Sequence, residues 1–177
     1  PNSFLLETTC SQKPFSMSIN KTQIIANEGQ HDFKIIREFS ASKENVFRAF
    51  AEPDLLNQWF MPEEMCMKIE IMECRTGGSF YHTHIHSNGM KFGFRGVYHE
   101  VDAPIRIIKT SEFVGLSQKV QPVLETTTFE TSETGNTKVT VHTICPSAEY
   151  RDAMIQNGME QHLQNSYQLL DKVLNKL

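Results

Sequence analysis

Three histidines stand at every second position in the stretch GGSFYHTHIHSNG, which runs from Gly77 to Gly89: His82, His84 and His86. Imidazole can ligate a metal, move a proton, or act as a hydrogen-bonding group that titrates near neutrality. Each role demands its own geometry. On an extended strand, residues i and i+2 lie about 7 Å apart and residues i and i+4 about 13 Å apart. Neighbouring members of the run could therefore converge on a zinc ion with bonds of about 2.0–2.1 Å, but a regular strand cannot bring all three to one ion. A third ligand would have to come from another strand, with His99 or His142 as candidates. No HExxH, CxxC or EF-hand pattern accompanies them, so neither a metal nor another cofactor is expected.

Acid–base catalysis would need one of these histidines beside a carboxylate inside a pocket. Glu70, Glu112 and Glu125 fall on strand-like segments, and one sequence does not determine which way they face. A GxSxG elbow and a glycine-rich phosphate loop are both missing. The four cysteines, Cys10, Cys66, Cys74 and Cys145, have no activating neighbour. No catalytic residue is assigned, and the balance is against an enzyme.

The elements that must position these groups are legible from periodicity. FKIIREF, from Phe33, reads as a strand ending near Ser40. Ser42 is an N-cap for a short helix carrying Val46, Phe47, Ala49 and Phe50, and Pro53 ends it and starts a second. Six strands follow, joined by turns at Thr76–Ser79, Ser87–Gly89, Asp102–Pro104 and Glu133–Asn136, with a looser connection at Gly115–Pro122. Short turns between consecutive strands argue for an antiparallel meander rather than βαβ units. After Pro146, with Ser147 as N-cap, Ile155, Met159, Leu163, Tyr167, Leu170 and Leu174 recur every three or four residues. Thirty residues of continuous helix would span about 45 Å, with Gly158 the one weak position. Residues 1–30 read as a tail, partly irregular, with a short extended stretch at Thr22–Ala26, and residues 31–177 as a single domain.

The bulk properties narrow the partners. The chain has 177 residues, a net charge of −4 and 21% charged side chains. That balance, without a basic cluster, excludes a nucleic-acid binder. No apolar run approaches the ~20 residues of a membrane span. The first seventeen residues hold one short apolar patch and no basic start, so a secretory signal is not expected. Cysteines without paired spacing suit free thiols in the cytoplasm. His31 and His162 read as surface residues, and His86 as a rim residue beside its turn.

One strand, two short helices, six antiparallel strands and a long C-terminal helix make an α+β order that resembles the helix-grip, START-like fold. ASKENVFRAFAEPDLLNQWF, GGSF, FRGVYHEVDAPIRI, ETTTFE, NTKVTV and PSAEYRDAMIQNGMEQHLQNSYQLLDKVL resemble, in their order and spacing, the homologues of activators of heat-shock-protein-90 ATPase. That family lies within the START-like, SRPBCC (polyketide-cyclase) superfamily. Relatives often have two tryptophans where this chain has Trp59-Phe60, and Gly-Trp where it has Gly158-Met159. The resemblance covers about residues 33–177. It implies a cavity between the curved sheet and the C-terminal helix, with the Phe80 phase of the histidine strand facing it. The alternative register has Tyr81, Thr83 and Ile85 facing the core and leaves the histidines in water. Candidate pocket residues are Trp59, Phe60, Phe80, His82, His84, Phe94, Tyr98, Phe129, Met159 and Leu163.

Three functions fit this reading: a binder of a small hydrophobic or amphipathic molecule, a co-chaperone-like activator of a heat-shock-90 type ATPase, and a cyclase- or hydrolase-like enzyme using pocket histidines. The first leads. The oligomeric state is left open.

Overall fold

A computed structural model describes residues 21–61, 65–115 and 120–177. Most of the tail, with Cys10, lies outside the described residues, as does the middle of the Gly115–Pro122 connection.

Among the described residues, eight strands form one antiparallel sheet: β1 (Gln23–Ile25), β2 (Asp32–Phe39), β3 (Met65–Met72), β4 (Ser79–His86), β5 (Lys91–Asp102), β6 (Arg106–Val114), β7 (Val123–Thr131) and β8 (Thr137–Ile144). Their spatial order is β1-β2-β8-β7-β6-β5-β4-β3. From β3 to β8 each strand pairs with the next, as short turns require, and β2 closes against β8. The two N-terminal helices, α1 (Lys43–Ala51) and α2 (Pro53–Leu56), sit between β2 and β3. Ser42 caps α1 by accepting the Asn45 amide, and Pro53 opens α2, a position where its missing N–H has no helical partner to lose.

Alternation drives one face of the sheet inward. β2 buries Phe33, Ile35 and Phe39, and with them Arg37. Arg37 is held by the Asp171 carboxylate of the last helix, by Thr22 Oγ1 at 3.3 Å, and by the faces of Phe39 and Tyr167. It thereby ties that helix to the sheet edge by charge as well as packing. A methyl group on Gly96 would stand 1.8 Å from the Thr110 carbonyl and 2.7 Å from the Phe80 ring. Only glycine allows β5 to approach β6 and β4 this closely there.

The C-terminal helix differs from the expected continuous rod. It is α3 (Ala148–Met154) and α4 (Glu160–Leu174), joined by a π-turn over Ile155–Met159. Ser147 caps α3 by accepting the Tyr150 amide at 3.1 Å. Asn157 leaves helical geometry, and Gly158 adopts φ 81°, the left-handed region that a Cβ disfavours. α4 alone therefore spans about 22 Å, and it buries Ser166, Tyr167, Leu170, Val173 and Leu174 against the sheet and α1. Nothing lies within 4 Å of where a Gly158 side chain would start, so the glycine serves backbone conformation rather than close packing. Gly158→Ala should cost about 1–2 kcal/mol, the left-handed penalty, measured as a lower urea midpoint with unchanged slope. A stabilised variant would mean that the segment straightens into one helix without loss.

Candidate functional site

The histidine strand faces inward. His82 is 6% exposed and His84 0%, on the same face as Phe80, while Tyr81, Thr83 and Ile85 take the outer phase. β4 is flanked on both sides, so aromatic residues of neighbouring elements close over the imidazoles. Phe80 stacks on His82 and Phe92 on His84, with centroids 5.7 and 5.0 Å apart. Phe94 approaches both rings from β5, and Phe60 approaches both from beyond α2.

The two histidines bind each other. Nδ1 of His82 lies 2.6 Å from Nε2 of His84, a hydrogen bond that needs one ring to donate and the other to accept. Two nitrogens on one tetrahedral zinc ion stand about 3.3 Å apart, and the 2.6 Å separation here is that of a hydrogen bond. The third ligands expected from other strands are engaged elsewhere: His142 with Asp32 at 2.7 Å and His99 with Thr110 at 3.2 Å. Among the described residues, no group of three or more histidines, cysteines or carboxylates is placed to hold a metal. The other nitrogen of His84, Nδ1, is buried without a hydrogen-bond partner.

Burial keeps both rings neutral. It pushes His82 down to about 3, helped by His84 and then by Lys109. His84 falls to about 4, again chiefly through burial, with His162 adding to the effect and Glu70 opposing it. An imidazole in a low-dielectric site cannot afford the charged form.

His82 lines a cavity of about 200 Å³ between the sheet and the helices, partly open to solvent. Of the sequence-derived candidates, Trp59, Phe60, Phe80, His82, Tyr98 and Leu163 line it. The others stand behind that wall or beside it. His84 sits behind His82, and Phe94 against both imidazoles. Phe129 is buried in the core against Phe50, and Met159 packs onto the core from the π-turn. Phe50, Trp59, Phe60 and Tyr167 form the aromatic side. The polar side comes from the sheet, where register places Tyr98 opposite Lys109 and Lys109 opposite Glu125. Lys109 Nζ lies 3.7 Å from Glu125 Oε2 and 5.0 Å above the Phe80 ring. Thr127 continues this strip on β7. Tyr98 is hydrogen-bonded to Cys74, and burial raises its phenol well above the ordinary value.

Most cavity residues beyond the candidates are apolar core, and three that carry charge or titrate are not placed there by sequence. His162, expected at the surface, lines the cavity, and burial lowers its pKa. Its signal was position: it precedes Leu163 in the apolar stripe and stands one turn before Ser166, whose hydroxyl donates to the Phe60 carbonyl at 3.0 Å. Lys109 is not singled out, and the facing of Glu125 stays open, because β6 and β7 carry polar residues in both phases.

Among the described residues, no carboxylate is hydrogen-bonded to His82, His84 or His162. Glu125 reaches the cavity as the partner of Lys109, Glu70 accepts from Thr83 at 3.0 Å, and Glu112 pairs with Arg95 at 2.9 Å. A larger depression of about 660 Å³ lies on the outer face around Ile71, Tyr81, Arg95 and Val97. It is more open to solvent and its charges are already paired, so the cavity between sheet and helices is the better candidate site.

Comparison with known proteins agrees with the architecture. The profile of the family described as "Activator of Hsp90 ATPase homolog 1-like protein" matches residues 40–175. No curated protein matches the chain by sequence. A crystal structure of a Rhodobacter sphaeroides protein, 23% identical, aligns with a TM-score of 0.80 over 89% of this chain and 100% of that one. A solution structure of a Staphylococcus epidermidis protein is 26% identical, with a TM-score of 0.75 over 87% and 94% of the two chains. A Chromobacterium violaceum protein, 25% identical, gives 0.68 over 81% and 96%.

Proposed function

The chain belongs to the Activator of Hsp90 ATPase homolog 1-like family, and from that premise we propose that it is a noncatalytic binder of a small, largely apolar molecule. The carrying observation is the cavity between sheet and helices, aromatic on its helix side and polar along the strip of His82, Lys109 and Glu125. Ligand sites have this composition: apolar walls supply affinity and a few polar groups set orientation. The volume matches a molecule of about one ring, since a cavity of about 150 Å³ accommodates benzene. Unbonded Cys66, Cys74 and Cys145 support a reducing, cytoplasmic setting.

The single tryptophan of the chain, Trp59, lines this cavity, so occupancy should be visible in its fluorescence. Titration with one-ring aromatic compounds is expected to change Trp59 emission saturably. Ligand at a hundredfold excess over Kd should add about 2.7 kcal/mol of stability, or several degrees in Tm. Unchanged emission and Tm across a broad aromatic and lipid series would refute the proposal.

The family description gives a second reading, activation of a heat-shock-90 type ATPase. An increased ATPase rate of the host chaperone on adding this protein, in a form unaffected by cavity ligands, would favour that reading over ours.

A further inference from the structure

His82 and His84 are joined through His82 Nδ1 and His84 Nε2. Both rings are neutral, so one proton is shared between His82 Nδ1 and His84 Nε2, and two arrangements exist. If His82 donated, His84 would carry its proton on Nδ1, the atom buried without a partner, leaving an N–H unmet among phenylalanine rings. If His84 Nε2–H donates, Nδ1 of His84 is a bare lone pair. Unmet buried acceptors are tolerated better than unmet donors, so the second arrangement is favoured. His82 then accepts at Nδ1 and must carry its own proton on Nε2. His82 lines the cavity, and its Nε2 is neither hydrogen-bonded among the described residues nor one of the fully buried unpartnered atoms, so the pair turns it into a fixed N–H donor there.

Charge on the same wall sets a second condition. Lys109 and Glu125 face each other at 3.7 Å, so the strip is neutral as built. An anionic ligand would gain Lys109 only by confronting Glu125, and a charge drawn into the apolar part of the cavity without a partner is disfavoured. Size sets the third condition. At about 200 Å³ the cavity has room for one ring with a short substituent, and a long acyl chain would have to leave most of its length outside.

We infer that the ligand is a neutral, single-ring aromatic molecule carrying one hydrogen-bond-accepting oxygen, which His82 Nε2–H recognises while Trp59 and Phe60 hold the ring. This rests on the cavity being the binding site, and it adds the chemical class.

A matched series tests it on the full chain. Methyl benzoate carries the ring and a neutral acceptor, ethylbenzene the ring alone, benzoate the ring with a charge, and decanoate a chain with a charge. Methyl benzoate should bind at least tenfold more tightly than each of the other three, read by Trp59 fluorescence and by NMR. In the His82→Phe/His84→Phe double variant, which removes both partners of the bond together, its advantage over ethylbenzene should fall to about one. Independently of any variant, nitrogen-15 spectra of the histidine rings should show the Nε2–H tautomer at both positions. Ethylbenzene binding as tightly as methyl benzoate, tightest binding by benzoate or decanoate, or an Nδ1–H tautomer at His82 would each overturn the inference and leave the cavity reading standing. Binding of none of the four would overturn both.

Discussion

Trp59→Ala is expected to lower the free energy of unfolding by about 3–5 kcal/mol, the range for removing a large buried ring. Trp59 is 2% exposed, and its ring meets Phe50, Phe60 and Tyr167 at centroid distances of 4.7, 5.7 and 6.1 Å. It therefore joins three parts of the fold: α1, the segment after α2, and α4. Two losses coincide on truncation. The vacated space merges with the existing cavity and cannot collapse onto its neighbours cheaply, which places the cost toward the upper end. The indole also donates to the Ala49 carbonyl at 2.9 Å, near the end of α1 where carbonyls lack helical partners. Trp59→Phe separates the terms, since it keeps most of the packing and gives up the bond, and it should cost about 1–2 kcal/mol. Urea unfolding followed by far-ultraviolet circular dichroism measures both. A loss below 1 kcal/mol for the alanine variant would show that Trp59 decorates the cavity without joining its walls.

The same residue shows what the sequence allows a reader to see. Trp59 and Phe60 stand out because two large rings follow a Pro-initiated turn of helix. The meander is equally legible, since alternation in MCMKIEIM and FYHTHIHS and the intervening glycine turns admit one connection pattern. Strand facing is harder. In β4 both phases hold polar groups, and only the closure of β3 and β5 around it selects the side with Phe80. In β7 the inward phase is Val123, Glu125, Thr127 and Phe129, where a carboxylate interrupts the apolar pattern because Lys109 lies opposite it across the ladder. That compensation is long-range and has no local signature. The break at Gly158 is hidden for the opposite reason. Ile155, Met159 and Leu163 keep a helical spacing through it, and the π-turn absorbs the extra residue without disturbing the stripe.

Stability should fall by about 3–6 kcal/mol between pH 7 and pH 4, and the histidine pair should be the main cause. In the unfolded chain an imidazole binds its proton near pH 6.5. In the fold His82 does so only near 3 and His84 near 4, because burial disfavours their charged forms. Across the interval between, the unfolded state holds more protons than the native one, so acidification favours unfolding, at about 1.4 kcal/mol per pH unit for each such group. The charges facing the pair act unequally. Lys109 depresses His82 further, His162 depresses His84, and Glu70 partly offsets the effect on His84. His162, itself lowered by burial, adds to the slope in the same direction. Asp32, held down by its bond to His142, contributes stability above pH 3.8 that is lost at lower pH, so it does not generate the decline above pH 4. Urea titrations at intervals from pH 7.5 to 4 should therefore give a native state that weakens steadily below about pH 6.5. His82→Phe/His84→Phe should remove most of that slope while leaving stability near neutrality little changed, because both hydrogen-bonding partners leave together. A wild-type midpoint that stays level down to pH 4.5, or a double variant with the wild-type slope, would mean that the imidazoles reach water and protonate in the native state. They could not then present the single fixed donor on which recognition of a neutral ligand depends.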